Sequence, residues 1–141
     1  MSDYYNGSQK KQPAALTEEN YVEIAEEAIL ALKNMKKNGK PIQMLTTSQI
    51  RNLLAMTADI YNEVLECKME KLGSEIVERI NYLRVRFIYE AGRDNKVKAF
   101  VEKTNVIEYL KKAKNSKTEY IRFSRYMEAL VAFHRYYGGR D

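Results

Sequence analysis

The apolar positions of this chain recur at steps of three and four almost from end to end, which is the period of a helix face and not of a strand. One segment first reads otherwise. In LRVRFIYEAGR, Leu83 to Arg93, the apolar Leu83, Val85 and Phe87 alternate with Arg84 and Arg86. Extended back to Ser74, the segment places Ile76, Ile80, Leu83, Phe87 and Ala91 on one helical face, at steps of four, three, four and four. The alternation is local, and the wider pattern predicts a helix.

The same reading predicts five helices. The first runs from about Glu18 to Lys37, buries Tyr21, Ile24, Ala25, Ala28, Leu32 and Met35, and ends at the breaker NGKP, Asn38 to Pro41. The second starts at TTSQ, Thr46 to Gln49, where a threonine N-cap and a glutamine three residues on make a capping box. It turns Ile50, Leu53, Leu54, Thr57, Ile60, Tyr61 and Val64 inward. Gly73 breaks and Ser74 caps before the third helix, Ser74 to Gly92. Asp94 caps a fourth from Asn95 to about Lys114, with Val97, Phe100, Val101 and Thr104 inward. After the polar turn KNSKT, the fifth covers Thr118 to Tyr137, buries Phe123, Tyr126, Leu130, Phe133 and Tyr137, and stops at Gly138-Gly139. Pro13 and Pro41 lie outside the periodic segments, and no β-branched run announces a sheet. The expected fold is all-α: a compact single-domain bundle over residues 17–141, preceded by a disordered polar tail, residues 1–16.

Composition narrows the setting. A chain of 141 residues folds as one domain without staples. Cys67 is the sole cysteine, so an intrachain disulfide and a cysteine-rich zinc site are both excluded, and an intracellular, cytoplasmic protein is expected. No uncharged apolar run approaches the ~20 residues of a membrane helix, and the N-terminus lacks the apolar core of a signal peptide. No membrane partner is expected. Twenty-four Lys and Arg against nineteen Asp and Glu give a formal charge of +5, which suits a polyanionic partner. Acidic residues crowd the first helix and cations the second half, which places the expected binding face past residue 75.

Arg79, Tyr82, Arg86, Tyr89 and Arg93 form a column within about 80° on the third helix, away from its apolar face. Guanidinium pairs with phosphate and tyrosine offers a stacking plane, so the column suits a sugar-phosphate backbone. The alternative is an ordinary solvated face with tyrosines under a neighbour. Arg51, one turn inside the capped second helix, either completes a phosphate site at the helix start or pairs with a carboxylate elsewhere. Arg122, Arg125 and Arg135 on the fifth helix admit the same two readings.

Enzyme chemistry finds little support. Cys67 and His134 are each alone of their type and lie on different helices. Glu63 with Glu66, and Glu75 with Glu78, have the spacing of paired carboxylates, but with no histidine beside them they read as surface charge. GKPIQ at Gly39 lacks the second glycine and the GK[ST] ending of a phosphate loop. No catalytic residue, metal or cofactor is expected. Eleven tyrosines exceed what a small core needs and suit self-association or docking to a larger partner.

Three blocks in order, LTTSQIRNLL (Leu45 to Leu54), YLRVRFIYEAGR (Tyr82 to Arg93) and RYMEALVAFHRYYGG (Arg125 to Gly139), give the chain its resemblance to a known family. From about residue 17 to 141 it resembles the small subunit of the Csm-type, or type III-A, CRISPR effector complex. That resemblance implies a non-catalytic helical bundle stacking in several copies beside the backbone filament that holds the guide RNA, in contact with the backbone and large subunits. Target RNA paired with the guide would lie along its basic surface, and other subunits would cleave. It carries Arg51, Arg84, Arg86 and Arg93 over as RNA contacts, beside Arg79, Tyr89, Arg122 and Arg125 from the residues themselves. The wheel places Arg84 nearer the buried edge than Arg86 or Arg93. A stand-alone helical DNA-binding regulator is the alternative, with KLGSE as the turn of a helix-turn-helix. A ribonuclease is a third, opposed by the lone histidine.

Overall fold

The capping box at the start of the second helix forms as the sequence predicts. Thr46 Oγ1 accepts from the Gln49 N–H at 3.1 Å, and Gln49 Oε1 accepts from the Thr46 N–H at 2.8 Å. A computed structural model describes residues 12–141; the first part of the expected tail, residues 1–11, lies outside them. The described elements are α1 Tyr21–Lys33, β1 Lys36–Lys37, β2 Lys40–Pro41, α2 Thr47–Glu66, α3 Ser74–Arg93, α4 Asn95–Thr104, α5 Val106–Ala113 and α6 Lys117–Tyr136.

Helix α6 is the spine. It packs against α1, α2 and α5, and its Tyr120, Phe123, Tyr126, Met127 and Leu130 are sealed from solvent. Helix α3 lies against α2, α4 and α5 through Ile80, Leu83, Phe87 and Ala91, the face its periodicity predicts. Inter-helix bonds fix the directions. Glu18 sits by Arg122 and Arg125, while Lys33 lies over the Tyr137 ring, so α1 runs parallel to α6. The Thr47 N–H donates to the Arg140 carbonyl at 2.8 Å, and Lys117 Nζ donates to the Cys67 carbonyl at 2.6 Å, so α2 runs against α6. Arg79 pairs with Glu63, and Gln49 bonds Asp94, so α3 also runs against α2. One end of the bundle therefore gathers the β1–β2 hairpin, the ends of α1, α3 and α6, and the start of α2. The other gathers the loop 67–73 and the start of α6.

Three boundaries differ from expectation, each for a local reason. The first helix stops at Lys33, because Asn38 and Gly39 take φ values of 55° and 78° and make a two-residue hairpin turn. Positive φ at both central positions is the type I′ geometry that Asn-Gly favours. Met35 and Ile42 close the hairpin through a 3.0 Å backbone bond. The fourth helix breaks in two at Asn105, which adopts the left-handed conformation at φ 59° and ψ 27°. Asparagine tolerates it, and the change of direction buries Val106, Tyr109, Leu110 and Ala113. The break strands the Thr104 carbonyl, and the buried Tyr126 hydroxyl donates to it at 2.7 Å. Burial pushes the Tyr126 hydroxyl far up, so it stays a donor. At the third helix Gly73 is the N-cap, and Ser74 is already the first helical residue. Ser116 is the cap that the sequence reading left in a turn: its Oγ accepts from the Glu119 N–H at 3.1 Å.

Residues 12–16 form no helix but touch the bundle. The Tyr109 hydroxyl donates to the Ala14 carbonyl at 2.8 Å, Asn20 Nδ2 donates to the Ala15 carbonyl at 3.0 Å, and Leu16 packs on the core.

Candidate nucleic-acid interface

Helix α3 carries two kinds of arginine. At ~100° per residue, Arg79, Arg86 and Arg93 lie on the flank that turns toward α2, while Arg84 lies on the other flank, about 160° from Arg86. Arg84 is half-buried and Arg86 exposed, so one strand cannot engage both from one side. Arg79 and Arg86, with Tyr82 between them, form one wall of an open groove of about 380 Å³ whose other wall is Met56, Asp59 and Ile60 of α2.

The charges along this flank of α3 are not equivalent. Arg79 is held by Glu63 across the helix pair. Arg93 reaches Glu90 at 3.4 Å and lies over the Tyr89 ring, 5.5 Å from its centre. Among the described residues Arg51, Arg84 and Arg86 stand in no ion pair. Tyr82 and Tyr89 are 62% and 58% exposed beside Arg86 and Arg93, so the column keeps two guanidinium groups and two ring faces toward solvent.

Arg51 is exposed but elsewhere. On the α2 wheel it points about 120–140° away from Glu63 and Met56, which face α3. Three of the N–H groups that a phosphate site at this helix start would use are already committed. Thr46 donates to Gln49, Thr47 to the Arg140 carbonyl, and Gln49 to Thr46. Arg122 sits 3.9 Å from both Glu18 and Glu119, and Arg125 sits 4.0 Å from Glu18, so both balance the acidic approach to α1. The eight candidates thus fall on separate surfaces, with Arg79, Arg86, Tyr89 and Arg93 together on one. Sequence reasoning passed over the exposed lysines of the hairpin, because the helix pattern was carried through Lys36 and Lys37 and Lys40 was read only as part of the breaker. The Asn-Gly pair was the signal that could have found them.

Cys67 and His134, the candidate nucleophile and base, are far apart. His134 is 1% exposed and donates from Nε2 to the Leu45 carbonyl at 2.7 Å. Cys67 lies at the opposite end of the bundle, where its carbonyl binds Lys117 at the start of α6. At 1.5 Å per residue, Lys117 and His134 are roughly 26 Å apart along the helix. Among the described residues no group of three or more His, Cys, Asp or Glu side chains is placed to hold a metal, and no helix is long and apolar enough to cross a membrane.

The family model for Csm2 Type III-A matches residues 19–140. The chain belongs to that family. It is 46% identical over 128 residues to "CRISPR system Cms protein Csm2" of Streptococcus thermophilus, covering 91% of this chain and 99% of the relative. A protein of the same description from Mycobacterium tuberculosis is 37% identical over 127 residues, covering 90% and 98%. One from Enterococcus italicus is 38% identical over 96 residues, covering 66% and 68%. The Csm small subunit that the three sequence blocks resemble is therefore the family of this chain, and the matched span takes in every helix from α1 to α6.

Proposed function

We propose that the chain is a non-catalytic small subunit of a cytoplasmic type III-A CRISPR effector complex. It stacks in more than one copy beside the backbone filament and touches target RNA, paired with the guide, through a basic surface. Membership of the Csm2 family supports the assembly. The observation that carries the RNA contact is Arg86, exposed and without an ion pair, in line with Arg93 and the open faces of Tyr82 and Tyr89. A cation of this kind can neutralise phosphate without first giving up a carboxylate, whereas Arg79 must release Glu63. Arg84 and Arg51 contribute from other sides, where a wrapped strand or a second copy would meet them.

The regulator reading finds less support. A helix-turn-helix joins its helices through a turn of about three or four residues, whereas residues 67–73 separate α2 from α3. The test is titration of labelled RNA against the purified chain at two or more salt concentrations. Weak, sequence-tolerant binding is expected, with three or four arginine contacts to a single strand contributing about −2 to −3 to the slope of log K against log salt and any further cation making it steeper. Tight, salt-independent binding to a short DNA duplex would overturn the reading.

A further inference from the structure

From the geometry of the β1–β2 hairpin we infer a second RNA-contact site, made by Lys33, Lys36, Lys37 and Lys40 and addressed to backbone phosphate. It rests on the RNA reading above and adds a surface that the arginine column does not include. All four lysines are exposed, and no acidic residue occurs in the sequence between Glu27 and Asp59. The local charge is therefore uncompensated along the chain. It is also held in place. The type I′ turn at Asn38-Gly39 fixes the tip, the Met35–Ile42 backbone bond closes the base, and Lys33 Nζ lies 5.6 Å from the centre of the Tyr137 ring.

The strand register sets Lys37 directly opposite Lys40. Like charges facing each other across a ladder destabilise it, so this hairpin would be more stable with neutral side chains there. A nearby anion removes the conflict. The chain leaving the hairpin borders a cleft of about 350 Å³ whose lining includes Lys96 and Arg140 beside the carboxylate of Asp141, so the uncompensated charge is that of the hairpin itself. Nucleic acid suits the site better than an acidic protein face. Protein interfaces are built on aromatic and aliphatic anchors and are depleted in lysine, whereas the hairpin from Lys36 to Lys40 presents three lysines and no large apolar side chain; the exposed Tyr136 lies beside Lys33 and Tyr137, not on the hairpin. Lysine as a point charge meets phosphate without sequence preference.

The test uses the full chain, labelled single-stranded RNA and three forms: wild type, the triple variant Lys36→Gln/Lys37→Gln/Lys40→Gln, and the triple variant Lys36→Arg/Lys37→Arg/Lys40→Arg. Three lost phosphate contacts should make the salt slope shallower by about 2 and lower affinity roughly tenfold or more at low salt. The glutamine form should melt at or above the wild-type temperature, and the arginine form should bind as wild type does. A glutamine form with unchanged affinity and slope overturns the site while leaving the arginine column standing. Unchanged RNA binding with altered self-association, read by sedimentation, assigns the hairpin to an acidic face of a second copy and also overturns it. Wild-type protein that binds no RNA overturns the function proposed above, and this site with it.

Discussion

Gln49 and Asp94 tie the starts of two helices together. Gln49 Nε2 donates to Asp94 Oδ2 at 2.9 Å, while Gln49 Oε1 closes the box on Thr46 and Asp94 Oδ1 accepts from the Lys96 N–H at 2.7 Å. Each side chain caps its own helix and orients the other's cap. Gln49→Ala and Asp94→Ala should each cost about 1–2 kcal/mol in urea unfolding. Because they share a bond, the double variant should lose less than the sum, by about 0.5 kcal/mol or more. Strict additivity would show that the two caps act independently.

Acid should weaken the fold through the same residue. The Lys96 N–H, and then the Gln49 amide, hold the Asp94 carboxyl below its ordinary value. At the other end of the bundle the Thr118 hydroxyl and N–H do the same for Glu70. A lowered folded-state value means that the stabilisation is present above the unfolded value and is lost as pH falls through the folded one. The melting temperature should therefore hold near neutrality and decline below about pH 4. Asp94→Asn should melt lower at pH 7 yet show a flatter acid decline. An acid decline as steep as wild type would remove Asp94 from the explanation.

Gly139 packs where no side chain fits. A Cβ built on it would overlap the His134 ring, and its N–H donates to the His134 carbonyl at 2.7 Å. Gly139→Ala should destabilise by about 1–3 kcal/mol, the range of an overpacked core, and loosen the Arg140–Thr47 contact. Hydrogen exchange at Thr47 reads the second effect. Wild-type stability with wild-type protection at Thr47 would mean that the segment does not dock.

The parts of the fold legible in the sequence were those decided by near neighbours. The Thr46 box, the Asp94 cap and the buried face of α3 follow from residues within a turn or two of one another. The break at Asn105 did not, because its stranded carbonyl is answered by Tyr126, which comes from another helix. The hairpin was hidden for a different reason: Met35 continued the helical period beyond Lys33, where the helix ends and the chain turns back through Asn38-Gly39. At the candidate site the residue types were readable and their partners were not. Nothing local to Arg79 announces Glu63, and nothing local to Arg122 announces Glu18.

Phe87 and the arginines flanking it on α3 should separate folding from binding. Phe87 is fully buried, with its ring centre 6.5 Å from that of Phe123, so Phe87→Ala should cost about 3–5 kcal/mol and lower RNA binding only by lowering the folded fraction. Arg86→Ala and Arg93→Ala should each change stability by no more than about 0.5 kcal/mol and make the salt slope of RNA binding shallower by ~0.7. Thermal melts and RNA titrations on the three variants decide it. Arginine variants that melt well below wild type and bind normally per folded molecule would make this flank a salt-bridge face.

The most direct measurement is to co-express the tagged chain with the other subunits of its type III-A system and a guide RNA, purify on the tag, and weigh the product by native mass spectrometry. The expected result is an assembly containing guide RNA, the backbone subunits and more than one copy of this chain, whose binding to complementary target RNA weakens with Arg86→Ala/Arg93→Ala while its composition is unchanged. A chain recovered alone, or an assembly that binds target RNA equally well without it, would contradict the proposed function.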